Sequence, residues 1–151
     1  MRAPRRAKAP ALALAVQYAQ PAEGLPVRAT LRRWAAAALE RDATVTLRFV
    51  GAREGRALNA RWRGRDYATN VLTFVYDDLS PLAGDIALCV PVLRREAREQ
   101  AKTLRAHCLH LVVHGMLHLQ GYDHEGDVEA GVMEAREAAI LAALGYPNPY
   151  A

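Results

Sequence analysis

Eleven residues restrict what this chain can fold into more than any others: His114-Gly115-Met116-Leu117-His118-Leu119-Gln120-Gly121-Tyr122-Asp123-His124. His114 and His118 are four apart, so on a helix both imidazoles leave the same face within reach of one ion. Gly121 lets the chain leave that helix and turn back, which can bring His124 to the same point. A fold for this sequence must therefore hold a helix, a glycine turn and a return segment together. Three neutral nitrogen ligands with one open position make a catalytic zinc site. His114, His118 and His124 are the expected ligands of one zinc ion per chain. His110 competes, one turn earlier on the same face. In a straight helix His110 and His118 are ~12 Å apart, too far for two bonds of ~2 Å to a single ion. Only the 114/118 pair adjoins the turn that delivers His124. His110 is therefore expected beside the site or in the core, and His107 at the surface.

The spacing equals that of the metzincin proteases, H-E-x-x-H-x-x-G-x-x-H, except that Gly115 stands where those enzymes carry their general base. The metal geometry is retained, but peptide hydrolysis by that mechanism loses its proton acceptor. Asp123 has two readings: it orients an imidazole or accepts a proton, or it caps the turn.

Around this segment the patterning is that of a mixed domain. Leu12, Leu14, Val16 and Tyr18 alternate as a half-buried strand, behind a basic stretch that resembles a short secretory signal only superficially. Residues 1–10 read as a basic flexible tail and 11–151 as one domain. Helical spacing follows from Pro26 to about Glu40, then a β-branched strand over 44–50. A short helix from Glu54 to Arg61 stops near Gly64. Strands are expected at 71–76 and 85–90, joined by an exposed connection at 77–81. Beyond Pro91 the chain is helical: one amphipathic piece to about Lys102, a strongly apolar helix capped by Thr103, and a last helix from Val128 to Leu144. This is an α+β architecture, a single domain with a mixed sheet of about four strands and about five helices.

No apolar run approaches the ~18 residues of a membrane span. Two cysteines, Cys89 and Cys108, cannot make a disulfide framework and suit a reducing, cytoplasmic setting. Net charge is +4, but residues 1–75 carry 14 Lys+Arg against 5 Asp+Glu, and residues 76–151 carry 6 against 11. Either a basic surface for a polyanion lies beside an acidic one, or the fold interleaves the halves. Arg61, Arg63 and Arg65 flank Trp62 in a turn before a strand. Guanidiniums bind phosphate bidentately and an aromatic can stack on an unpaired base. The alternative is a solvated loop with Trp62 in the core.

Taken together, the three-histidine segment, Leu58-Asn59 through Arg63-Gly64, Asp66, Thr69-Asn70-Val71-Leu72, Gly84-Asp85-Ile86, Met133-Glu134, Glu137, Leu144-Gly145-Tyr146 and Pro149-Tyr150 resemble the YbeY family. These are bacterial zinc-dependent single-strand endoribonucleases, also called rRNA maturation factors. The resemblance covers roughly residues 12–150. It implies a zincin-like α+β fold, zinc on His114, His118 and His124, and catalytic roles for Arg63 and His114. It also implies action on single-stranded ribosomal RNA in 16S 3′-end maturation and late-stage ribosome quality control. The partners it implies are small-subunit ribosomal proteins and an Era-type GTPase. Ala68 and Val75 stand where the family usually has proline, and Thr73 where it usually has serine. Two rival functions are a non-catalytic ribosome-assembly factor with a structural zinc and a metallopeptidase. The open ligand position argues against the first, and Gly115 against the second.

Overall fold

Alternating apolar side chains in Leu12–Tyr18 (β1) and Ala43–Val50 (β2) make two parallel strands, with Val45, Leu47 and Phe49 of β2 turned wholly inward. The computed structural model describes residues 9–151, so the expected basic tail lies almost entirely outside the described residues. Val71–Asp77 (β3) and Leu82–Cys89 (β4) complete a four-stranded mixed sheet in the order β1-β2-β4-β3. β4 runs parallel to β2, and β3 is an antiparallel edge strand on β4. β4 starts three residues earlier than its alternation suggests. The backbone N–H of Leu82 donates to the Asp42 carbonyl at 2.9 Å, which extends the pairing back from Asp85.

Among the described residues five helices accompany the sheet: α1 (Arg28–Ala37), α2 (Ala52–Arg63), α3 (Val90–Glu99), α4 (Leu104–Leu119) and α5 (Asp127–Ala143). α4 is apolar on nearly every side and packs against α1, α3, α5 and the sheet, which makes it the central helix. Thr103 caps it, its hydroxyl accepting from the Ala106 N–H at 3.0 Å. At the other end Gly121 adopts φ 104°, and its N–H and that of Tyr122 donate to the carbonyls of His118 and Leu117. That pair of bonds is a Schellman stop, and it reverses the chain toward His124. α5 turns Met133, Glu137, Ile140 and Leu141 inward, so a carboxylate sits on an otherwise apolar buried stripe. α2 runs two residues past its expected end, because Gly64 (φ 67°) is the stop. Arg61, Trp62 and Arg63 therefore occupy the last helical turn, where the basic side chains complement the helix dipole. Cys89 and Cys108 are both buried and unpaired, and burial pushes the Cys108 thiol up to about 12. No helix among the described residues is long and apolar enough to cross a membrane.

Candidate metal centre and its basic flank

The three expected histidines come together. The rings of His114 and His118 lie parallel on α4 with centroids 6.4 Å apart; His124 is 5.4 Å from the first and 5.8 Å from the second. The loop that carries His124 is set by Asp123, whose Oδ1 accepts from the backbone N–H groups of His124 (2.7 Å) and Glu125 (3.2 Å). Of the two readings of Asp123, the structure bears out the turn cap.

The protonation pattern of two rings follows from their partners. Nδ1 of His118 faces the Tyr122 carbonyl at 3.1 Å, and a carbonyl only accepts, so the proton is on Nδ1 and the Nε2 lone pair is free. Nδ1 of His114 is 2.5 Å from the Glu137 carboxylate, which imposes the same tautomer. Burial holds the His118 pKa below its usual value; repulsion from His114, and more weakly from His124 and Arg63, adds to this against the Tyr122 hydrogen bond. A neutral imidazole with Nδ1 engaged and Nε2 free is what a zinc ligand requires. Three rings bonded to one ion at ~2 Å have centroids roughly 5 Å apart. Among the described residues no group of three such side chains is already closed to that degree. The ring centroids, 5.4, 5.8 and 6.4 Å apart, must close toward that spacing on binding; the donor set itself, three imidazoles of which two have Nδ1 engaged, suits zinc.

Behind His114 lies a network that sequence reasoning missed. Glu137 is fully buried and accepts from His114, from the Tyr150 hydroxyl, and at 3.4 Å from His110 Nε2. Burial alone would raise its carboxyl, but hydrogen bonds from His110, His114 and Tyr150 outweigh it and bring the pKa down to about 2. The same contact, added to burial, raises the Tyr150 phenol. His110 thus lies beside the centre, as expected, bonded to Glu137 and 3.1 Å from Tyr150. His107 is not at the surface: it is 3% exposed, with Nε2 3.0 Å from Glu96 on α3. Glu96 also accepts from Asn70 at 3.1 Å, so a carboxylate compensates the burial of His107. Glu137 and Tyr150 both stand in segments that carry the family resemblance, but nothing in the sequence pattern joins either of them to the histidines.

Arg63 is exposed at the end of α2, near enough for its charge to depress the His118 pKa. Trp62 is not in the core: it is 56% exposed, with its ring 5.8 Å from Phe74 and the Arg61 guanidinium 5.2 Å from it. Buried Asn59 anchors the loop after α2 by donating to the Tyr67 carbonyl at 2.7 Å, and Ala68 packs against Val50, Cys89 and Val92. Arg48–Glu54 and Arg56–Asp66 pair within the basic half and Arg95–Glu99 within the acidic half; Arg136–Glu40 joins the two. Among the described residues no salt bridge joins an arginine or lysine of the basic half to a carboxylate of the acidic half.

Gly115 explains itself by packing. A Cβ there would lie 3.1 Å from Ile86 Cγ2, so the position faces the sheet.

The sequence model of one protein family, Endoribonuclease YbeY, matches residues 22–145. A protein of Aromatoleum aromaticum named Endoribonuclease YbeY is 62% identical over 143 residues, covering 93% of each chain. One of the same name from Thiobacillus denitrificans is 56% identical over 144 residues, 94% of this chain and 98% of that protein. The solution structure of TM1509 from Thermotoga maritima superposes with a TM-score of 0.57 at 24% identity, covering 87% of this chain and 91% of that one. That likeness shows a shared fold.

Proposed function

Because the chain belongs to the YbeY endoribonuclease family, we propose that it is a zinc-dependent endoribonuclease cutting single-stranded RNA at the centre formed by His114, His118, His124 and Arg63. The observation that supports this reading is the convergence of three imidazoles beside an exposed guanidinium, with Nδ1 engaged on His114 and His118. The three histidines would hold the ion. When bound, zinc supplies Lewis acidity toward water and phosphoryl oxygen. The remaining chemistry belongs to the chain. Glu137 keeps the proton of His114 on Nδ1 and orients the ring, and the Tyr122 carbonyl does the same for His118. Arg63 presents a planar fork to the scissile phosphate and offsets the charge that develops there. Arg61 and Arg65 hold the flanking backbone, so affinity falls as salt rises. The basic half suits this substrate, and the Gly115 position carries no carboxylate and faces the Ile86 side chain.

Family membership supports ribosomal RNA as the substrate, in 16S 3′-end maturation and late ribosome quality control. Small-subunit proteins and an Era-type GTPase are the partners, and the cytoplasm the site of action. The test is cleavage of a labelled single-stranded RNA by zinc-loaded protein, with EDTA and His114→Ala as controls. Cutting that both controls abolish is the expected result. A loaded protein that leaves the RNA intact, or a His114→Ala variant that cuts as well as the parent, overturns the proposal.

A further inference from the structure

On the side of the sheet turned away from α1 and α4, a groove of about 490 Å³ opens between α2 and the strands. This is within the ~300–1,000 Å³ range of small-ligand clefts. Thr46 pairs in register with Asp85, and Asp85 with Phe74, so those three side chains lie abreast across β2, β4 and β3. Trp62 and Tyr76 stand over them, 56% and 68% exposed. Two large aromatic rings left this open over a preformed groove are an unusual expense of apolar surface, and they invite a flat apolar ligand.

The charges in the groove narrow the class. Arg48 is spoken for: it forks onto both oxygens of Glu54 at 2.7 and 2.8 Å and donates to Gln17 at 3.0 Å. Asp85 accepts from the Tyr76 hydroxyl through Oδ2 at 2.5 Å, and among the described residues its Oδ1 has no hydrogen-bond partner. A floor with a neutralised arginine and a half-free carboxylate repels phosphate. It accepts from an N–H donor. The exposed cations lie beside it: the Arg61 guanidinium is 5.2 Å from the Trp62 ring, and Arg63 and Arg65 follow Trp62 along the chain, both exposed.

From this we infer that the groove is a base-binding subsite for the single-stranded RNA, resting on the nuclease reading above. An unpaired base stacks on Trp62 and donates its exocyclic amine to Asp85, while the backbone follows Arg61 and Arg65 toward Arg63. Cytosine and uracil stack alike and differ at that amine, so of the two pyrimidines the subsite prefers cytosine. It also gives the Gly84-Asp85-Ile86 segment a task outside the histidine centre.

The test is fluorescence anisotropy of labelled oligocytidine and oligouridine with the full chain in EDTA, alongside quenching of its own tryptophans. Trp34 is fully buried, so quenching by RNA reports Trp62. The expected result is saturable quenching, with oligocytidine bound on the order of tenfold tighter than oligouridine. Trp62→Ala weakens both by about tenfold or more. Asp85→Asn, which can still accept from Tyr76, brings the two affinities level. Both variants should keep the parent's zinc content and melting temperature. Unchanged affinity in Trp62→Ala, or a cytosine preference that survives Asp85→Asn, overturns the inference. The zinc-loaded parent is assayed on the same oligomers: cutting without a Trp62 response rejects the subsite and keeps the nuclease, and the reverse pattern keeps the subsite and rejects the nuclease.

Discussion

Replacing Glu137 by glutamine removes one charge and almost no volume from the most enclosed polar position among the described residues. Its carboxylate is 0% exposed and serves His114, His110 and Tyr150 together. The carboxyl pKa is lowered from 4.5 to about 2, which corresponds to roughly 3 kcal/mol of preference for the ionised form in the folded state. Because the folded pKa is depressed, that contribution is complete above the unfolded value and is lost as pH falls toward 2. Glu137→Gln should therefore cost about 3 kcal/mol in urea unfolding at pH 7 in EDTA. By pH 3 the gap to the parent should narrow by about 2 kcal/mol, since Glu137 of the unfolded parent is by then protonated while that of the folded parent still holds its charge. In zinc competition titrations the variant should bind 10- to 100-fold more weakly, because His114 loses the group that fixes its tautomer. A stability gap independent of pH, together with parental zinc affinity, would refute the network.

The other expectations are simpler to read. Arg63→Ala should leave zinc content and unfolding unchanged while lowering RNA cleavage by about 10²–10³-fold, as loss of an electrostatic donor does; Arg63→Lys should recover part of it, and parental cleavage by the alanine variant returns Arg63 to a solvated helix end. His118→Ala should lose most bound zinc by metal analysis and His110→Ala should keep it, and the opposite result would shift the ligand register by one turn. Gly115→Glu should not become a protease: its first added carbon is 3.1 Å from Ile86 Cγ2 on the face turned to the sheet, so the variant should lose about 1–3 kcal/mol in urea unfolding and leave casein uncut. A folded variant with parental stability would show that the helix turns at that point.

Much of the architecture was legible because it depends on local periodicity. The period-two runs at 12–18 and 44–50 and the cap at Thr103 reappear nearly where the sequence places them. The errors share a cause. The pattern puts Trp62 in a turn, either open to stack on a base or turned into the core, because an aromatic beside arginines has no local preference that separates the two. The glycine at 64, two residues beyond it, decided that it would end a helix and stay in water. His107 reads as a surface residue on a helix wheel, yet α4 is enclosed on nearly every side and Glu96 arrives from a neighbouring helix to bond it.

The approach of His114, His118 and His124 was fixed by the chain alone, because helix rise and a glycine turn set the geometry of eleven consecutive residues. Tertiary structure decided what those rings can do. Glu137 meets His114 from 23 residues away and Tyr150 meets His110 from 40, and no repeat in the sequence encodes either distance. Such contacts depend on the angle at which α5 and the C-terminal segment pack onto α4. That angle is set by the fit of Met133, Ile140 and Leu141 into the shared core, not by any one residue's preference.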